Sequence, residues 1–221
     1  MFDQIAHRYD FLNHLLSAGR DVAWRRACCR ELVAHGASQG VLLDLCGGTG
    51  DFAITYAREA GNPEIALVGD FAGGMLQYCK LKDATLVPIQ LDAQNIPLPA
   101  ASVAVALNGF GMRNIPDVDL ALREAARVLV PGGLFMTLEF FRPTNCFTRL
   151  FYGVVAPMAI PFMGLLFSKR DAYAYLVRSI RQFLSVDEYV AKARLAGFAP
   201  VAVRACDGGI AYRVLLVKEP A

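Results

Sequence analysis

The sequence predicts an α/β protein: a doubly wound, mostly parallel seven-stranded sheet with N-terminal helices and an antiparallel strand near the C-terminus. Three observations carry that reading. Short apolar runs alternate with helical patterns between residues 41 and 139, which is how a parallel sheet with crossover helices is written. The first apolar run enters a glycine cluster that opens a helix. Two late strand-like runs are joined by Asp207-Gly208-Gly209, the spacing of a hairpin.

Taken in order, residues Phe2 to Leu32 read as helices. Phe11, Leu12, Leu15 and Leu16 recur at helical spacing, as do Trp24, Ala27, Cys28 and Leu32. Gly19 breaks the run and Gly36 stops it. Val41 to Leu45 is an apolar run suited to a strand buried on both faces. The loop Gly47-Gly48-Thr49-Gly50-Asp51 follows, then a helix with Phe52, Ala53, Tyr56 and Ala57 on one side. Ile65 to Asp70 is a second strand, and a helix spans Met75 to Cys79. Leu86 to Leu91 and Val103 to Leu107 are the third and fourth strands. A helix from Val118 to Leu129 precedes a Pro131-Gly132-Gly133 turn, and Leu134 to Glu139 is the fifth strand. Glu188 to Ala196 is helical, Gly197 ends it, and Val201 to Arg204 and Tyr212 to Val217 form the hairpin.

Composition narrows the function. Of the 221 residues, 55% are hydrophobic and only 19% charged, the reverse of a disordered chain. Lys plus Arg is 22 against 20 for Asp plus Glu, too balanced for a nucleic-acid binder. A mean hydropathy of +0.38 leaves room for lipid or a greasy ligand. Six cysteines without a CxxC pair, and three histidines, argue against a metal site. The opening residues lack a signal-peptide core, so the expected location is the reducing cytoplasm, with free thiols packed as small core residues.

Leu150 to Phe167 contains no charge. Its length is at the lower edge for a membrane span, and Gly153, Pro157, Pro161 and Gly164 interrupt a lone spanning helix. Arg142 and Arg149 precede it, and Lys169 and Arg170 follow. The segment reads as a greasy lid or a stretch lying at the bilayer surface, with a buried helical insertion as the alternative.

The glycine loop admits two ligands. Gly48-x-Gly50-x-x-Ala53, with Asp70 after the second strand, satisfies the dinucleotide fingerprint. It fits S-adenosylmethionine equally well, and a plain connecting turn is a third reading. Three features favour the methyl donor. Asp44, like Asp51, would repel a pyrophosphate, and Asp44 can orient the loop or accept from a ligand ammonium. Asp92, ending the third strand, can accept from an adenine amine. No separate substrate domain is present. The chain divides into a helical cap (1–36), a cofactor-binding core (37–140), an apolar lid or insertion (141–185) and a C-terminal helix and hairpin (186–221), all within one domain.

The residues resemble those of class I S-adenosylmethionine-dependent methyltransferases, whose fold is Rossmann-like. Among these they are similar to the quinone C-methyltransferases of menaquinone and ubiquinone biosynthesis. The resemblance rests on Arg8 to Gly19 followed by Trp24-Arg25, on Leu43 to Asp51, on Phe110-Gly111-Met112-Arg113-Asn114 with Asp117, and on Arg127 to Gly133 running into Leu138-Glu139-Phe140. Ser179-Ile180-Arg181 and Ala196-Gly197-Phe198 also fit, so nearly the whole chain is covered. The glycine loop and Pro-Gly-Gly turn are shared by many methyltransferases. The Arg-Asn motif with the N-terminal signature is specific.

The resemblance implies S-adenosyl-L-methionine as cofactor, bound by Asp44, Gly47, Gly48, Thr49, Gly50, Asp70, Asp92, Ala93 and Gly109. Thr49 would touch the methionine part, Asp70 the ribose, and Asp92 and Ala93 the adenine. Gly109 stands where the family often has Ser, so only its backbone is available. The implied acceptor is a prenylated quinol, demethylmenaquinol first, with a prenylated benzoquinol or another lipidic acceptor as the alternative. The implied catalytic residues are Arg113, Asn114 and Asp10, with Tyr9 and His14 near the substrate ring. Arginine is a poor base, with a pKa above about 12, so Arg113 would stabilise the phenolate or position a water. The other reading of Arg113 is a structural clamp with Asp117. Glu139 is expected to pair with an arginine. The implied partners are the quinol and a membrane surface met through Leu150 to Phe167. That would place the protein peripherally at the inner face of the membrane. A chain this apolar is compatible with a homodimer.

Overall fold

The computed structural model describes residues 17, 19–37, 40–155 and 170–220. Helix α1 (Arg20–Ala34) leads into β1 (Val41–Leu45), α2 (Asp51–Ala60), β2 (Ile65–Asp70), α3 (Gly73–Lys82) and β3 (Leu86–Gln90). Then come β4 (Val103–Gly109), α4 (Val118–Val128) and β5 (Leu129–Glu139). The described elements after β5 are α5 (Cys146–Leu150), a π-helical turn (Phe151–Val155), α6 (Arg170–Gln182), α7 (Val186–Leu195), β6 (Phe198–Cys206) and β7 (Ala211–Lys218). No described helix is long and apolar enough to cross a membrane.

The strands form one seven-stranded sheet in the order β3-β2-β1-β4-β5-β7-β6. Neighbours from β3 to β5 run parallel. β7 is antiparallel to both β5 and β6, as the hairpin spacing requires. Both faces of the sheet are covered, and β1 shows why its sequence is apolar throughout. Leu43 and Leu45 pack in the cluster with Leu122 and Ala125 of α4 and Tyr189 of α7. Leu42 packs in the opposite cluster with Trp24, Cys28 and Leu32 of α1 and Phe52 of α2. Pro88, which cannot donate to a ladder, lies on edge strand β3. All six cysteines are free, four of them buried.

One boundary differs from the sequence reading. β5 begins at Leu129, before the Pro131-Gly132-Gly133 turn rather than after it. Val103 pairs with Leu129, but Val105 pairs with Leu134, so the intervening residues bulge out of the ladder. Gly132, at φ 76°, supplies the left-handed residue of that bulge.

The starts of α4 and α7 are closed by their own N-cap side chains. Asp117 caps α4 by accepting from Leu120 N–H, and Ser185 with Glu188 forms a reciprocal capping box on α7. Helix α7 carries Tyr189, whose hydroxyl is 2.8 Å from Thr137 Oγ1 in β5, so this cap anchors the side of the sheet that ends at Glu139. Replacing Ser185 with Ala will lower stability by about 1 kcal/mol in urea unfolding. An unchanged midpoint would show that the cap contributes nothing.

Candidate active site

The chain leaves β1 through a tight, left-handed path. Cys46 (φ 58°), Gly48 (57°) and Gly50 (84°) all have positive φ. A Cβ on Gly47 would lie 2.7 Å from both Asp44 Cγ and Val68 Cγ1, so only glycine fits this close approach. The loop amides are bound within the chain. Gly47 N–H donates to Gly69 O (3.0 Å), and Gly50 N–H to Gly47 O (2.9 Å). Gly48 N–H donates to Asp70 Oδ2 at 2.9 Å.

Asp44 supplies what α2 lacks. That helix begins after Gly50, with no side-chain cap of its own. Ala53 N–H in its first turn donates to Asp44 Oδ2 at 3.0 Å, a favourable place for a carboxylate. Asp44 is fully buried. Burial raises its carboxyl to about 7, opposed by the Ala53 N–H and the Arg25 guanidinium. Its Oδ1 has no hydrogen-bond partner among the described residues.

A second left-handed turn follows β4, beside β1. Phe110 has φ 59°. A Cβ on Gly111 would collide with Cβ of Cys46. Buried Asn108 ties the two turns together: its Nδ2 donates to Leu45 O (2.8 Å), and its Oδ1 accepts from Met112 N–H (3.2 Å).

Between these turns and the ends of β2 and β3 lies a cavity of about 380 Å³. Cys46 and Gly48 line it from the glycine loop, and Phe110, Gly111 and Asn114 from the second turn. Asp70, Phe71, Asp92 and Ala93 line the remaining wall. It opens where the strand order reverses between β1 and β4, the switch point where open α/β sheets bind ligands. The donor set fits a cationic sulfonium nucleoside and opposes a dinucleotide. A pyrophosphate needs free loop N–H groups, but those of Gly48 and Ala53 are already held by carboxylates. It would also meet Asp70 and Asp92, carboxylates that line the cavity. Phe71 is 77% exposed on the cavity wall, a flat apolar face suited to a base.

Of the sequence-predicted cofactor residues, Gly48, Asp70, Asp92 and Ala93 line this cavity, whereas Asp44, Gly47 and Gly50 shape the loop beneath it. Thr49 is buried away from the lining, and its hydroxyl accepts from Lys82 Nζ at 2.8 Å. Gly109 is also outside the lining; a Cβ there would be 3.1 Å from Phe52 Cδ1. Tyr9, Asp10 and His14 fall outside the described residues.

Arg113 pairs with Glu139, not Asp117, which instead caps α4 as described above. Arg113 Nη1 lies 2.5 Å from Glu139 Oε1. Both are buried, and burial pushes the Glu139 carboxyl up while the Arg113 charge opposes it. Asn114 Nδ2 donates to Phe110 O (3.3 Å), and its Oδ1 accepts from Tyr175 of α6 (2.8 Å). Arg113 lines a second cavity of about 690 Å³, which shares Ile115 and Pro116 with the first. The sequence reading missed Asn108, Phe71 and Tyr175 as site residues. Only Phe71, apolar and next to Asp70, carried a local signal.

This fold and acid-walled glycine-loop site define an S-adenosylmethionine-dependent methyltransferase. Solved structures share the architecture. A methyltransferase of Thermotoga maritima superposes with a TM-score of 0.65 at 18% identity, covering 99% of this chain and 98% of that one. One from Aquifex aeolicus gives 0.61 at 16% identity, covering 85% and 87%. Residues 1–218 match the ubiE/COQ5 methyltransferase family, and the chain belongs to it. The ubiquinone/menaquinone biosynthesis C-methyltransferase UbiE of Syntrophotalea carbinolica is 38% identical, over 95% of this chain and 89% of that protein. The demethylmenaquinone methyltransferase of Staphylococcus aureus is 34% identical, over 99% and 92%.

The raised Asp44 carboxyl has a signed consequence. The folded state holds its proton more tightly than the unfolded chain does, so this group weakens folding as pH rises from about 4 to about 7. Asp44→Asn keeps the acceptor for Ala53 N–H and removes the titration. Denaturant unfolding will show the variant gaining a few kcal/mol relative to the parent across that window. A parallel pH dependence in the two proteins would contradict this assignment.

Proposed function

We propose that the protein transfers a methyl group from S-adenosyl-L-methionine to a ring carbon of a prenylated quinol, demethylmenaquinol before a benzoquinol. The placement of Arg113-Asn114 carries this reading. Asn114 lines the donor cavity, Arg113 lines its neighbour, and the two cavities share the segment that follows the motif. Gly48, Asp70, Asp92 and Ala93 hold the donor: Asp70 takes the ribose hydroxyls with its remaining lone pairs, and Asp92 and Ala93 border the adenine. Asp44, Gly47, Thr49, Gly50 and Gly109 support that site by keeping the loop and the β4 end in place. When bound, the donor would supply its sulfonium methyl to the ring carbon, with S-adenosylhomocysteine as the in-line leaving group and, after the ring proton leaves, one released proton.

The protein's tasks are alignment and charge. A quinol becomes a carbon nucleophile as its hydroxyl ionises. Arg113 stabilises that oxyanion, as a pre-set donor in a dry site does, and Asn114 orients the acceptor while Tyr175 holds the Asn114 amide. The family resemblance assigns Tyr9, Asp10 and His14 to the acceptor as well, with Asp10 or His14 as the proton acceptor.

A quinol tail needs a greasy path. Phe147 and Leu150, just before and at the start of the uncharged stretch, are 54% and 60% exposed. This supports a lid (141–185) that rests on lipid at the inner face of the membrane. Helix α1 of the helical cap (1–36) packs on the core (37–140), and 186–221 complete the sheet.

Labelled S-adenosylmethionine offered with reduced and oxidised short-tailed demethylmenaquinone, and with a demethoxy-type benzoquinol, tests the acceptor. Label in the reduced naphthoquinol alone is expected, and label in the oxidised quinone would contradict the mechanism. Asp70→Ala should weaken S-adenosylhomocysteine binding roughly tenfold to a hundredfold by calorimetry, the loss of hydrogen bonds to a charged group. Unchanged affinity would remove Asp70 from the site.

A further inference from the structure

We infer that Glu139 is a positioning residue for methyl transfer, acting through Arg113; the inference rests on the oxyanion role proposed above for Arg113. Glu139 ends β5 and is wholly buried, while the Arg113 side chain is 8% exposed. Neither charge is tolerable there without the other, because removing one partner of a buried pair strands the second. The pairing is more than a charge match. Glu139 Oε2 accepts from the Arg113 backbone N–H (3.2 Å), and Oε1 accepts from Arg113 Nη1 (2.5 Å). Oε1 also accepts from Phe140 N–H at 2.7 Å. One carboxylate thus grips the main chain and the side chain of the same arginine, which fixes its rotamer and the turn that carries Asn114.

Aromatic rings narrow the guanidinium further. Phe110 and Phe140 are stacked with centroids 4.6 Å apart. The guanidinium carbon lies 5.9 and 5.5 Å from their centroids, within cation–π range. Nη1 also donates to Phe110 O at 2.6 Å. Nη1 is therefore committed twice, whereas the buried Nε–H has no hydrogen-bond partner among the described residues. A buried donor without an acceptor is costly, and an acceptor oxygen brought against it as charge develops would satisfy it. Glu139 balances the charge of Arg113 while leaving that Nε–H uncommitted.

The test is a double-mutant cycle on the full chain with a short-tailed demethylmenaquinol. E139Q is isosteric but uncharged, and its amide nitrogen must face a donor, either Arg113 Nη1 with Phe140 N–H or the Arg113 backbone N–H. It is expected to lower kcat roughly tenfold to a hundredfold, with S-adenosylhomocysteine affinity within about twofold of the parent. Added to R113A, E139Q should change kcat by less than about twofold, because both act through one group. Full kcat in E139Q, or effects that multiply in the double variant, would overturn the inference. Loss of turnover in R113A with full turnover in E139Q would refute Glu139 alone, whereas full turnover in R113A would refute the oxyanion role itself. If E139Q does not fold, E139D keeps the charge and withdraws the carboxylate by one carbon. A folded, S-adenosylhomocysteine-binding E139D with reduced kcat supports the inference, and one with full kcat overturns it.

Discussion

The loop after β1 directs the amide hydrogens of Gly47, Gly48 and Gly50 to acceptors of its own chain. In phosphate-binding loops of similar sequence these amides are free, and the helix dipole behind them attracts an anion. Here Asp70 holds Gly48 and Asp44 holds Ala53. The same glycines therefore build a site with the opposite electrostatic preference. That constraint selects a sulfonium donor over a dinucleotide, and it places two carboxylates where the loop must be rigid. Asp44 tolerates its burial because it closes a helix that has no cap of its own.

The second turn makes the site two-sided. Gly111 lets the chain after β4 lie against Cys46, and Asn108 locks the two loops through one side-chain amide. Left-handed Cys46 and Phe110 are non-glycine residues in a costly conformation. Both line the cavity, consistent with strain held where a ligand must be approached closely. Arg113 and Asn114 leave this turn in different directions of contact: one to Glu139 in β5, the other to Tyr175 in α6. The cavity, the sheet core and the C-terminal helices thus converge on the turn from Phe110 to Asn114.

Much of this was legible in the sequence because it depends on local pattern. Apolar runs buried on two faces marked the parallel strands, and glycines followed by an acid after β2 marked two walls of the cavity. The Asp207-Gly208-Gly209 turn marked the hairpin. What was not legible depends on which strands become neighbours. Asn108 looks like one more strand residue until β4 is set beside β1. Arg113 had an acid four positions away in Asp117 and a better one in Glu139, which only the β4–β5 pairing brings close. Thr49 reads as a ligand contact from its place in the loop, yet Lys82, reaching over from α3, takes its hydroxyl. β5 starts early because its bulge keeps pairing on both sides of a sequence that spells a turn.

The central claim is that an acid-walled cavity between the β1 and β4 turns receives the methyl donor. A crystal structure of the protein with S-adenosylhomocysteine tests it most directly. The account predicts the ribose on Asp70, the adenine beside Phe71 and Ala93, and the loop amides of Gly48 and Ala53 still held by Asp70 and Asp44. Nucleoside bound elsewhere, or a loop that releases those amides to the ligand, would contradict it.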